Sequence, residues 1–199
     1  MIPLQKAKSI IQKHIFILET ESVSLSDAGN RVLAEDIIAT FPSPQFDNSA
    51  MDGFAVRSAD TEGASPDNPI TLKVVSISSA GSPSDVDLQS GECSQCMTGA
   101  KIPVGADAII MVEDSSGFSD SDSVQVMIEA SAGKHIRRMG EEIAEDELLI
   151  QKGTRITPGE IGTCATFGYG KLSVAKKPKI AIFGTGDELI EPGNELKPG

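Results

Sequence analysis

The sequence predicts an α+β fold, mainly β. A discontinuous, mixed first domain carries an inserted β-rich second domain, and the first strand of a truncated α/β third domain follows. Three observations predict this. Helical periodicity is confined to the start of the chain and to a short stretch after residue 156. Between them, short runs rich in Thr, Val and Ile alternate with Gly, Pro, Asp and Ser. Near the end, "KIAIF" is a continuous apolar run, as in a parallel strand buried on both faces. The expected boundaries are 1–45 with 141–177 for domain I, 46–140 for the inserted domain II, and 178–199 for the start of domain III.

Taken in order, Pro3 to Glu19 places apolar residues at Leu4, Ala7, Ile11, Ile15 and Leu18, a helical spacing, with Pro3 suited to the first turn. A second short helix is expected from Ser26, with "RVLAEDIIA" passing from its end into an extended segment. "FPSPQ" then breaks regular structure. The strand candidates of domain II are "FAVRS", "ITLKVVSISSAG", "ECSQCMTG", "DAIIMVED" and "SVQVMIEA", with "SSGFSDSDS" as an acidic hairpin loop. "ELLIQKGTRI" reads as a hairpin. Thr157, Pro158 and Glu160 open a helix as cap, first position and capping-box partner, ending near Gly168-Tyr169-Gly170. One strand and one loop after residue 178 cannot make a domain, so the chain reads as an N-terminal fragment.

Composition narrows the function. The 199 residues carry a net charge of −12, which argues against nucleic acid as a partner. The longest apolar runs are too short for a bilayer and the N-terminus lacks an apolar signal core, so no membrane is expected and the cytoplasm is. Three cysteines occur, and Cys93 and Cys96 form a lone C-x-x-C without a second ligand pair, which reads as strand packing.

Four stretches carry chemistry. "FDNSAMDGFAV" packs Asp47, Asn48, Ser49, Asp52 and Gly53 between apolar anchors. Such a loop can bind a metal, orient water or act as a base, and it can equally be an Asx-turn. "MTGAKIPVGADA" places the Thr98 hydroxyl between two strands. "KHIRRMGEE" joins arginines, whose forks suit phosphate or carboxylate, to Glu141 and Glu142. "GTGDEL" sets Asp187 and Glu188 at the end of the "KIAIF" strand, where open α/β sheets bind ligands.

In this order the four resemble the molybdopterin molybdenumtransferase family, MoeA in bacteria, to which the E domain of gephyrin is related. The resemblance implies insertion of molybdate into adenylylated molybdopterin, with release of AMP and with a divalent cation, usually Mg2+. It implies an elongated, dimer-forming first domain, a homodimer, and an active-site cleft between the third domain of one subunit and the second domain of the other. By motif position it assigns Asp52, Thr98 and Glu188 to catalysis. Asp47, Ser49, Arg137, Glu142 and Asp187 go to substrate binding, with Asp47, Asn48 and Ser49 also holding the loop. The metal ligands stay unassigned. Glu142 departs from the Asp often found there, and Asn30 stands where many members have Gly. The fragment alone is expected to be inactive. A non-catalytic dimerisation or scaffold module of gephyrin type is the alternative, and a carboxylate hydrolase using Asp47 and Asp52 is a third.

Overall fold

The structure, a computed structural model, describes residues 2–186 and 188–195. In chain order its elements are α1 (Leu4–Lys13), β1 (Thr20–Ser24), β2 (Ile37–Ile38), β3 (Asn48–Ser49), β4 (Gly53–Val56), β5 (Ile70–Ser78), β6 (Glu92–Cys96), β7 (Ala108–Met111), β8 (Ser123–Val126), β9 (Ile136–Arg137), β10 (Leu148–Ile150), α2 (Pro158–Thr166) and β11 (Lys171–Ala175). They divide into two compact units, Met1–Asp36 with Ile150–Gly199, and Ile37–Leu149.

The second unit is built on a five-stranded sheet in the order β7-β4-β6-β5-β8. β4 runs antiparallel to both β6 and β7, and β5 runs parallel to β6 with a bulge between Val74 and Ser76. All four residues of β4 are buried, because this strand has a core on each face. Phe54 and Val56 join Leu72, Cys93, Ile110 and Val124 on one face. Ala55 joins Cys96, Ala100 and Ile109 on the other. The two-residue period of a strand makes that division. Burying one side chain the size of Phe54 contributes about 1.5–3 kcal/mol. Phe54 also meets Phe118 at a ring separation of 5.3 Å and a tilt of 56°, a favourable offset geometry.

Cys93 and Cys96 are wholly buried on opposite faces of the sheet and unpaired. Burial pushes their thiols up to about 12 and about 11, so they pack as small apolar groups. Residues before β3 also belong to this unit. Ser43 exchanges backbone hydrogen bonds with Ile143, and Ala39 does so with Asp146 and Glu147. The units therefore divide at 36/37 and 149/150, where the sequence placed the boundaries at 45/46 and 140/141. The "FPSPQ" break, with its cis Ser43–Pro44 bond, lies inside the second unit.

In the first unit, β1 and β11 pair antiparallel, Val23 opposite Leu172. Among the described residues, Ala28, Leu33, Ile150, Ile156, Cys164, Phe167, Leu172 and Val174 are its buried apolar residues. Asn30 takes φ of 64°, a left-handed conformation that Asn tolerates nearly as well as Gly. Its Oδ1 accepts from Arg155 at 2.9 Å. α2 starts as expected: the Glu160 carboxylate accepts the Thr157 N–H at 2.8 Å and its hydroxyl as well.

Four local readings need correction. α1 stops at Lys13, short of Ile15 and Leu18, because "IFI" brings β-branched and aromatic residues that are weak helix formers. The second helix is only a 3-10 turn, Leu25–Asp27, capped by Ser24. The "ELLIQKGTRI" hairpin does not close on itself, since Thr154 and Ile156 pair instead with Leu33 and Arg31. Residues 179–183 hold no strand, and Ile180, Ile182 and Phe183 are exposed. A strand of that composition forms when both of its faces are covered.

Candidate functional site

The polar loop at residues 46–53 is the hub of the second unit. Its short strand β3 pairs with β9, Asn48 opposite Arg137 and Ser49 opposite Ile136. On its other side Ser49 brackets the Thr98 loop. The Ser49 carbonyl accepts from Gly99 N–H at 2.8 Å, and the Ser49 N–H donates to Ala100 at 3.0 Å. Ile102 N–H donates to the Asp47 carbonyl at 3.0 Å. Three stretches far apart in sequence, "FDNSAMDG", "MTGAKIP" and "KHIRR", thus share one backbone network.

Asp52 stands at its exposed edge. One carboxylate oxygen, Oδ1, accepts both the Thr98 N–H and the Thr98 hydroxyl, each at 2.7 Å. Among the described residues the second oxygen, Oδ2, has no partner. The Thr98 amide first, and its hydroxyl second, hold the Asp52 carboxyl below its usual range. It is an anion at neutral pH with one oxygen available. A carboxylate whose anionic form is favoured by two donors is a weaker proton acceptor and a better fixed charge or cation ligand.

Gly53 explains the end of the motif. A Cβ there would lie 1.9 Å from the Ile110 carbonyl oxygen. Only glycine lets β4 and β7 meet directly behind Asp52.

The other assigned residues separate by role. Asp47 is held by the Met139 N–H at 2.8 Å and by Arg138 at 2.6 Å, and these two contacts, in that order of effect, lower its carboxyl. Both of its oxygens are engaged, so its place is in the loop's frame. Ser49 is wholly buried, with its hydroxyl bonded to the Met51 carbonyl. Its hydroxyl therefore faces the interior of the loop rather than solvent. Asn48 is buried too. Its amide donates to the Phe46 carbonyl at 3.3 Å, and its Oδ1 has no partner among the described residues.

Arg137 is exposed, and among the described residues its side chain has no hydrogen-bond or ion-pair partner. Glu142 accepts the Ser43 hydroxyl at 3.2 Å, so Arg137 and Glu142 are not paired with each other. Glu188 is exposed in the first unit. Asp187 lies outside the described residues. Among the described residues no three acidic, His or Cys side chains gather as a metal-ligand cluster, and no helix is long and apolar enough to cross a membrane.

Residues 2–168 match the family model described as the MoeA N-terminal region, domain I and II. The chain belongs to the MoeA family. It is 41% identical over 183 residues to a molybdopterin molybdenumtransferase of Bacillus subtilis (strain 168), covering 91% of this chain and 43% of that protein. It is 38% identical over 199 residues to molybdopterin molybdenumtransferase 2 of Mycobacterium tuberculosis (strain CDC 1551 / Oshkosh), covering 49% of it. The crystal structure of a molybdopterin biosynthesis moeA protein from Pyrococcus horikoshii OT3 superposes with a TM-score of 0.87 at 36% identity, over 98% of this chain and 52% of that one. The chain therefore spans about half the length of these MoeA relatives.

Arg138 was missed from the sequence. Adjacent residues on an extended segment point to opposite sides, and in "IRR" nothing says which arginine faces Asp47. The pairing of β3 with β9 decides it.

Proposed function

We propose that the protein carrying this chain is a molybdopterin molybdenumtransferase of molybdenum cofactor biosynthesis. Its substrates are adenylylated molybdopterin and molybdate, and AMP is released. It works in the cytoplasm as a homodimer, and this chain supplies the second-domain side of the active site. The observation that carries the reading is Asp52, an ionised, exposed carboxylate with one oxygen fixed by Thr98 and the other open.

In this reading Thr98 orients and Asp52 acts. Two donors on Oδ1 stop the carboxylate from rotating, so Oδ2 keeps one direction. Preorganised charge of this kind stabilises developing charge without reorganising at the moment of reaction. Gly53 and the β4–β7 pairing keep the backbone beneath it from shifting. Arg137 is an exposed cation of the same network without an ion-pair partner among the described residues, suited to phosphate oxygens of the substrate. Glu188 and Asp187 belong to the third-domain side.

The family implies Mg2+. Its demands are hard oxygen donors, commonly one or two carboxylates with substrate phosphates and waters. Asp52 fits as a single such ligand through Oδ2, and the rest of the shell would come from substrate and solvent. When bound, the ion neutralises charge on phosphate or molybdate oxygens.

The test is Asp52→Asn in the full-length protein, assayed for molybdenum transfer to adenylylated molybdopterin beside a thermal melt. Asn keeps an oxygen for both Thr98 donors, so the melt should hold. Transfer should fall at least about a hundredfold, the scale on which a preorganised charged group contributes. An unchanged rate with an unchanged melt rejects the reading.

A further inference from the structure

Thr98 sits in a five-residue loop, Met97 to Lys101, that leaves β6 after Cys96. Its two ends are closed by one residue that belongs to neither motif. The Met97 N–H donates to the Ser78 carbonyl at 3.0 Å. The Ser78 hydroxyl donates to the Lys101 carbonyl at 2.9 Å. Ser78 is the last residue of β5, wholly buried, and in register with Cys96. Its Oγ also accepts the Ser84 N–H at 3.3 Å, whereas the Ser84 hydroxyl turns away to a separate row, Ser76 and then Ser94, each step 2.9 Å. Within the loop, Gly99 takes φ of 80° and Ala100 N–H closes a turn on Met97.

We propose that Ser78 is a positioning residue for the Asp52–Thr98 pair, clamping both ends of the Thr98 loop so that the open oxygen of Asp52 keeps its direction. The proposal rests on the function proposed above for that pair. Ser78 touches neither Thr98 nor Asp52 by any hydrogen bond among the described residues, so its influence runs through the loop backbone. Loss of the hydroxyl leaves the Lys101 carbonyl and the Ser84 N–H without this partner in a part-buried setting, where an unmade hydrogen bond is costly. The loop relaxes by shifting its Lys101 end, and Thr98 moves with it. A misplacement of about one ångström near a reacting group costs on the order of a hundredfold in rate.

A merely structural serine in that separate row supplies the control. Ser84→Ala cuts the hydroxyl chain without touching residues 97–101. The first readout is the Thr98 amide resonance of the 199-residue chain followed through an acid titration, since that N–H reports ionisation of the Asp52 carboxylate it bonds. In the unaltered chain, and in Ser84→Ala, the midpoint should lie below the usual carboxylate value. In Ser78→Ala it should rise toward that value. Ser78→Cys, which keeps a weak donor at nearly the same volume, should fall between, and it replaces Ser78→Ala if the alanine variant does not fold. A Ser78 midpoint equal to the unaltered one, or a Ser84→Ala shift as large as that of Ser78→Ala, overturns the proposal. The second readout is transfer by full-length Ser78→Ala, with kcat expected at least about tenfold lower and KM nearly unchanged. A moved midpoint with an unchanged kcat would leave Ser78 as the clamp and instead overturn the role of the Asp52–Thr98 pair in transfer.

Discussion

At the scale of single residues, the two aspartates of the loop have different work and the same electrostatic sign. Asp47 and Asp52 both titrate below their ordinary range, through Met139 with Arg138 and through Thr98 respectively. A depressed folded pKa means that each contribution to stability is fully present above the unfolded value of about 4 and is lost as pH falls through the folded one. Acid should therefore release this loop below pH 4, before any basic-side transition involves it. Amide resonances of Thr98 and Met139, followed downward in pH, check this; midpoints at or above the ordinary carboxylate value would contradict it. The adjacent arginines should separate as well. Arg138→Ala breaks an exposed ion pair with Asp47 and should cost less than about 1 kcal/mol of stability. Arg137→Ala should leave the melt within about 0.5 kcal/mol, as surface substitutions do, and lower transfer in the full-length protein by weakening substrate binding. The sequence makes both arginines visible and hides their division of labour, because strand register, set by pairing with distant residues, chooses the face.

At the scale of elements, legibility followed the length and locality of the signal. The strands of the five-stranded sheet were readable because Thr-, Val- and Ile-rich runs are bounded by turn residues, and α2 because its cap is written in four consecutive residues. The order β7-β4-β6-β5-β8 was not readable, since a parallel β5–β6 pair joined by residues 79–91 leaves no local mark. The end of α1 is not legible from spacing alone, because Ile15 and Leu18 continue a helical period that poor helix formers do not sustain. Gly53 marks where local chemistry and long-range pairing meet. Gly53→Ala would drive a methyl into the Ile110 carbonyl, and backbone on both sides must move. We expect a loss of about 3 kcal/mol, the upper range for overpacking, read by denaturant midpoint. A change under about 0.5 kcal/mol would mean that β4 and β7 do not approach this closely.

At the scale of the whole molecule, stability is unevenly spread. The sheet strands β4, β5 and β6 have paired backbones and buried side chains on at least one face. The segment 178–186 is the opposite case. Among the described residues, none of its N–H groups donates to a backbone carbonyl, and Ile180, Ile182 and Phe183 are 76%, 91% and 83% exposed. Apolar residues in that density are costly to hydrate and mark surface that burial would favour. Native-state amide exchange tests the contrast. In the 199-residue chain, residues 179–186 should exchange at close to the rate of an open chain, while residues 53–56 and 92–96 should be protected to near the global unfolding free energy. In the full-length protein, residues 179–183 should become protected, because a strand of this composition gains its hydrogen bonds and both covering faces from an α/β sheet. Strong protection of 179–183 in the monomeric 199-residue chain would contradict the exposure seen here. Absence of protection in the full-length protein would remove the third-domain strand, and with it the ground for placing Glu188 beside a ligand at a strand end.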